Sequence, residues 1–132
     1  MSAEDEAAAV ESLAQRLMKR YLPAGADADA ELSQRARSLA ERFFGARVSI
    51  LRARFSRRLT SSFGNANPQR RTVQVAERLR NAPRWVIDYV LIHEIAHLIE
   101  PGHGRRFWEL VNRYRYSERA QGYLACLSET EA

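Results

Sequence analysis

The sequence is poor in cysteine, histidine and lysine. Cys126 is the single cysteine among 132 residues, so a disulfide within the chain is excluded. A reducing compartment fits that absence best. Cys126 lies in the apolar string YLACL and is expected to be a small buried hydrophobe rather than a nucleophile. Long apolar runs are also missing. VLI at 90–92 meets the charge of Glu94 two residues later, so no segment is long enough to cross a bilayer and no membrane partner is expected. The opening MSAEDEAAAV is acidic where a signal peptide is basic, which points to a cytoplasmic protein. Glycine and proline are few, six and four, and there are no internal repeats; collagen-like and disordered chains are excluded.

What is present is a globular composition, 45% hydrophobic and 28% charged, in a length that suits one compact domain. The net charge of +5 is unevenly spread. Residues 1–31 hold seven of the sixteen acids, whereas residues 47–84 hold ten arginines and one acid, Glu77. That block could serve as an electrostatic footprint for nucleic acid. Twenty arginines against the lone Lys19 also have the look of codon bias, and scattered arginines solvate a sheet edge well.

Periodicity divides the chain. Val10, Leu13, Ala14, Leu17, Met18 and Tyr21 recur at helical spacing from Ala7 to Leu22. A second helix is expected from about Asp29 to Phe44, on Leu32, Ala36, Leu39, Ala40 and Phe43, with Gly45 as its stop. The period then shortens. In ARVSILRARF, Val48, Ile50 and Arg52 alternate with other residues as in a strand, and a short extended piece is expected near 57–60. SSFGNANPQRR, rich in Ser, Gly, Asn and Pro, reads as a loop. RTVQVA is a strand with Val73 and Val75 on one face. Asn81 is expected to cap the next helix and Pro83 to occupy its first turn. This helix runs on to Pro101-Gly102, followed by helices from Arg105 to Tyr114 and from Ser117 to Leu127.

All three histidines fall within HEIAHLIEPGH, residues 93–103. His93 and His97 are four apart on the best helix, so both imidazoles project from one face. Glu94 lies about 100° further round, poorly placed as a ligand but near enough to hold a reacting water. Pro101-Gly102 turns the chain so that His103 can return as a third ligand. Three protein ligands leave the open position that catalytic zinc needs; ligand type alone admits iron, cobalt or nickel as well. A structural zinc site would want a fourth ligand, and Cys126 is the sole cysteine to offer.

Around this motif the chain resembles a family. APRWVIDYVLIHEIAHLIEPGHGRRFWELVNRY is similar to the YgjP-like zinc metallopeptidase domain, which is related to the SprT and WLM types. The resemblance rests on Pro83, on Ile87-Asp88-Tyr89-Val90, on His93 to Leu98, on five residues between His97 and His103, and on Phe107-Trp108. Upstream, RRLTSSFG falls where the family has an R-W-G-S-C-like turn, with Leu59 and Thr60 in place of its Trp and Gly. The resemblance covers about residues 46–126. It implies a small α+β, zincin-like domain of minigluzincin type, with a short mixed or antiparallel sheet packed on the motif helix and helices ahead of it. Residues 1–45 lie outside the resemblance and, from their helical periodicity, are expected to be an N-terminal helical extension packed on the same domain, with 46–132 as the peptidase-like domain. It also implies Zn2+ held by His93, His97 and His103, with Glu94 as the general base. The metzincin pattern has the same histidine spacing, but Glu100 stands where its glycine belongs and no methionine follows. A gluzincin-type third ligand from Glu109 or Glu118 is a less simple choice than His103.

On this reading Glu94 takes a proton from the attacking water and passes it to the leaving amine. A second donor to the oxyanion is wanted. Arg105, Arg106, Tyr114 and Tyr116 follow His103, and residue type does not choose among them. Asp88 is about 140° from His93 around the helix and is accounted for by the helix dipole. In a zincin-like layout the RTVQVA strand could be a sheet edge that receives an extended peptide; the alternative is ordinary pairing inside the sheet. Three other activities remain open: a DNA-associated protease using the basic block, a metal-dependent hydrolase of a nucleoside triphosphate, and a metal-stabilised binding module without catalysis.

Overall fold

The computed structural model describes residues 24–131. The helix expected over 7–22 lies outside them. Helix α1 (Ala24–Phe44) forms because Leu32, Ala36, Leu39, Ala40 and Phe44 recur on one face, and all five are buried. Gly45, at φ 63°, ends it in the left-handed conformation that glycine adopts without a Cβ clash.

Three strands follow: β1 (Arg52–Ser56), β2 (Gly64–Asn67) and β3 (Thr72–Ala76). They lie in the order β1-β3-β2, with β1 parallel and β2 antiparallel to β3. This corrects four expectations. The first strand begins at Arg52, so Val48 and Ile50 precede it, and residues 57–60 form a turn rather than an extended piece. GNAN, inside the expected loop, is a strand, because pairing with β3 overrides its weak intrinsic preference. The Asn67 side chain accepts from Arg70 N at 3.1 Å, and Arg71 takes φ 55°, which closes the hairpin into β3. Finally, β3 is the central strand, with both edges occupied.

The free edge of β1 is covered by α1. Ser33 Oγ donates to Ala53 O at 2.8 Å and accepts from Ala53 N at 2.9 Å, while Asp29 Oδ1 accepts from Phe55 N at 3.1 Å. Among the described residues, β2 therefore carries the open edge of the sheet. Val73 and Val75 face inward as expected, under the helices, with Ala53 beside them.

Helix α2 (Arg84–Ile99) is the centre of the molecule. Leu91, Ile92, Ile95 and Ala96 have no exposure, and each of the larger side chains contributes on the order of 1.5–3 kcal/mol by its burial. Its N-cap is Pro83, not Asn81; Val86 N and Ile87 N both donate to Pro83 O, and no side chain caps the end. Asp88 is buried here and forms a two-pronged ion pair with Arg35 of α1, at 2.9 and 2.6 Å. That pair fastens α1 to α2 and leaves Asp88 no part in the histidine cluster. The pairing holds the Arg35 guanidinium above its ordinary pKa.

Helix α3 (Arg105–Val111) ends three residues short of the expected Tyr114, and α4 (Ser117–Glu131) runs past the expected Leu127. Helix α4 turns Ala120 and Leu124 inward, which leaves Cys126 exposed, contrary to its apolar neighbourhood in sequence. No described helix is long and apolar enough to cross a membrane.

Candidate metal centre

The stop after α2 creates the site. Glu100 N still bonds to Ala96 O at 2.8 Å, but Glu100 itself is extended (φ −126°, ψ 106°), as a residue before proline prefers. The chain reverses through 101–104 and brings His103 back over the helix end. The ligating nitrogens of His93, His97 and His103 then all lie within 4.8 Å of one another. Nε2 of His97 and Nε2 of His103 approach to 3.0 Å, so the two rings aim at a common point.

The opposite nitrogens are anchored. His97 Nδ1 donates to Glu100 O at 3.2 Å, and His93 Nδ1 donates to Glu94 Oε1 at 3.0 Å. A carbonyl or a carboxylate only accepts, so Nδ1 carries the proton in each ring and Nε2 keeps its lone pair. Burial, helped by the neighbouring histidines and opposed by Glu94, lowers the pKa of His97 below its ordinary value; the neutral, ligating form is favoured. Phe107 of α3, fully buried, stacks on His97 at 4.2 Å and meets the edges of His93 and His103 at 5.0 Å each, an apolar floor under all three rings.

Glu94 is 6% exposed, and its carboxylate faces a cavity of about 350 Å³ that His93 also lines. Three parts of the chain build this cavity. Helix α2 supplies Tyr89 and Val90, the segment entering β2 supplies Ser62, Phe63 and Gly64, and α4 supplies Gln121 and Leu124. Burial and the negative charge of Glu94 push the Tyr89 hydroxyl up to about 12, so it stays protonated at neutral pH.

Several candidates are not brought here. Tyr114 donates its hydroxyl to Trp85 O at 2.9 Å, and Tyr116 packs against Tyr114. Arg105 pairs with Glu109 at the surface, which also removes Glu109 as a ligand. Neither Arg106 nor Glu118 lines the cavity. Sequence reasoning missed Tyr89, Gln121 and Leu124. Tyr89, four residues before His93, was the one with a local signal, since it shares the histidine face.

The whole span, from α1 to the first turn of α4, matches a known domain. Residues 2–120 match the YgjP-like metallopeptidase domain. The chain belongs to the YgjP-like metallopeptidase family. Its match to the family begins far upstream of residue 46, where the visible resemblance started. The crystal structure of the metallopeptidase zymogen abylysin from Pyrococcus abyssi has the same fold: TM-score 0.57, 22% identity, 69% of this chain and 86% of that one. No curated protein is significantly similar to the chain in sequence.

Membership of the YgjP-like family implies a metal cofactor, typically zinc, and the donor set fits one. Around a tetrahedral zinc, nitrogens about 2.0–2.1 Å from the ion lie roughly 3.3 Å from each other. Three imidazoles already converging within 4.8 Å, two with anchored Nδ1 atoms, need only small adjustments to reach that spacing.

Proposed function

We propose that this YgjP-like domain is a zinc-dependent peptidase in which His93, His97 and His103 hold the metal and Glu94 is the general base. The convergence of the three histidine nitrogens carries this reading. When bound, zinc supplies Lewis acidity, polarising a carbonyl and lowering the pKa of water from about 15.7 toward 7. Glu94, on the wall of the cavity beside His93, accepts the proton of the attacking water and delivers it to the leaving amine.

The open edge of β2 replaces β3 as the place for substrate. An extended peptide paired along Gly64–Asn67 would be led past Glu94, because Gly64 touches that side chain. The apolar walls Phe63, Val90 and Leu124 suit an apolar substrate side chain beside the scissile bond. Among the described residues no lysine or arginine lines the cavity, which disfavours a nucleoside triphosphate as substrate.

Metal content measured by mass spectrometry tests the centre. Wild type is expected to hold about one zinc per chain, and His103→Ala to lose at least tenfold in affinity, since three ligands become two. Wild type that neither contains zinc nor takes it up would end the peptidase reading.

A second reading adds to the first. On the outer face of the sheet, Arg52, Arg54 and Arg70 line a hollow of about 200 Å³ with Asn65, Asn67 and Gln74, and among the described residues no carboxylate is in its walls. Other arginines of the 47–84 block are engaged: Arg80 with Glu77, Arg78 with Glu131. We propose that this face contacts nucleic-acid phosphates. Among the described residues the hollow has no aromatic side chain for base stacking, so contact would be independent of base sequence. Replacing Arg52 and Arg54 by Glu should weaken duplex DNA binding and reduce its salt slope by about two. Wild type showing no binding at about 50 mM salt would dispose of the idea.

A further inference from the structure

Tyr89 lines the cleft, and among the described residues its hydroxyl has no hydrogen-bond partner. It stands one helical turn before His93 on α2, with ring centroids 6.0 Å apart. The residue is 4% exposed and lines the same cavity as His93 and Glu94. Among the described residues no group donates to its hydroxyl or accepts from it. Tyr114, also buried, is the contrast: its hydroxyl donates to Trp85 O. A buried hydroxyl left unpaired costs on the order of 1–3 kcal/mol, so a persistent one calls for a counterpart. The cavity is where that counterpart fits. Gln121 shares the lining and donates its amide nitrogen to Ser117 Oγ at 3.1 Å, and neither end of its amide is hydrogen-bonded to Tyr89.

We propose that the Tyr89 hydroxyl donates a hydrogen bond to the substrate carbonyl oxygen as that oxygen becomes negative, making Tyr89 a catalytic residue. The inference rests on the peptidase reading of the cleft. As the water oxygen bonds to the carbonyl carbon, the C=O π pair moves onto the carbonyl oxygen and the water's proton goes to Glu94. Tyr89 keeps its own proton throughout and contributes a preorganised donor, stronger toward the charged oxygen than toward the neutral carbonyl. Such a donor acts on the transition state more than on substrate binding.

The test compares Tyr89→Phe with wild type as zinc-loaded full chains. Two probes are used: a pool of phosphinic peptides, whose tetrahedral anionic centre mimics the intermediate, and uncleaved peptides of matching side chains measured in the Glu94→Gln background. Calorimetry should show phosphinic affinity falling by about 10²-fold, with the plain peptide changed less than about threefold. Zinc stoichiometry and the melting temperature should hold, since the ring is retained and no hydrogen bond among the described residues is removed. Tyr114→Phe should leave phosphinic affinity as in wild type. Unchanged phosphinic affinity in Tyr89→Phe, an equal loss for both probes, or loss of zinc would each overturn the assignment. If wild type holds zinc yet neither cleaves peptides nor binds phosphinic ones, the peptidase reading itself has failed and takes this assignment with it. Cleavage by wild type combined with an unaffected Tyr89→Phe removes the assignment alone.

Discussion

Glu94→Gln is expected to keep about one zinc per chain and to slow peptide hydrolysis by about 10²–10⁴-fold. The amide has nearly the volume of the carboxylate, so the buried site, 6% exposed, needs no repacking. Its oxygen still accepts from His93 Nδ1, which keeps that ring's lone pair turned to the metal position. What is lost is the capacity to take a proton. Metal content and turnover of a quenched fluorescent peptide library, measured on the same preparation, separate the possible roles. A rate close to wild type would place the base elsewhere. Loss of zinc would make Glu94 a ligand. Activity that disappears with zinc retained also excludes a merely metal-stabilised binding module.

Gly64→Ala is expected to cost about 10²-fold in rate and roughly 1–3 kcal/mol in stability. A Cβ at position 64 would lie 2.8 Å from Glu94 Cγ, 3.1 Å from Glu94 Cδ and 2.9 Å from Val90 Cγ1. Neither neighbour yields easily. Val90 is 3% exposed in the central helix, and the Glu94 Cγ sits close to its backbone. Either β2 withdraws from α2 or Glu94 turns away from its position. Both outcomes misplace the base by a substantial fraction of an ångström, and the first also loosens the edge on which a substrate strand would pair. Urea unfolding midpoints and peptide turnover measure the two effects independently. Normal values in both would show that the close packing of β2 on Glu94 does not position it.

These expectations rest on features of differing visibility. The two histidines four apart on α2, the glutamate beside the first and the stop at Pro101 are local. They follow from 3.6-residue periodicity and from the steric demand of proline on the residue before it. The face of α1, its end at Gly45 and the inward valines of β3 are legible for the same reason. β2 was hidden because Gly-Asn-Ala-Asn has the composition of a loop. Its extended form depends on the ladder offered by β3, not on its own preference. Cys126 was misjudged because neighbours in sequence are not neighbours around a helix: Ala120 and Leu124 mark the inner face of α4, and position 126 falls outside it.

By itself the sequence determined a small α+β domain built on a helix that bears two histidines on one face, with a third histidine returned by a proline turn. Each of those features is set within about three turns of chain, where covalent geometry and hydrogen-bond period leave few choices. Tertiary structure alone decided that β3 is central and β2 free, that Gly64 leans on a glutamate thirty positions away, and that α4 walls the cavity. It also left the Tyr89 hydroxyl in that cavity without a described partner. Those outcomes come from packing and pairing between distant segments, where the energy resides in which surfaces meet, and no local pattern records that.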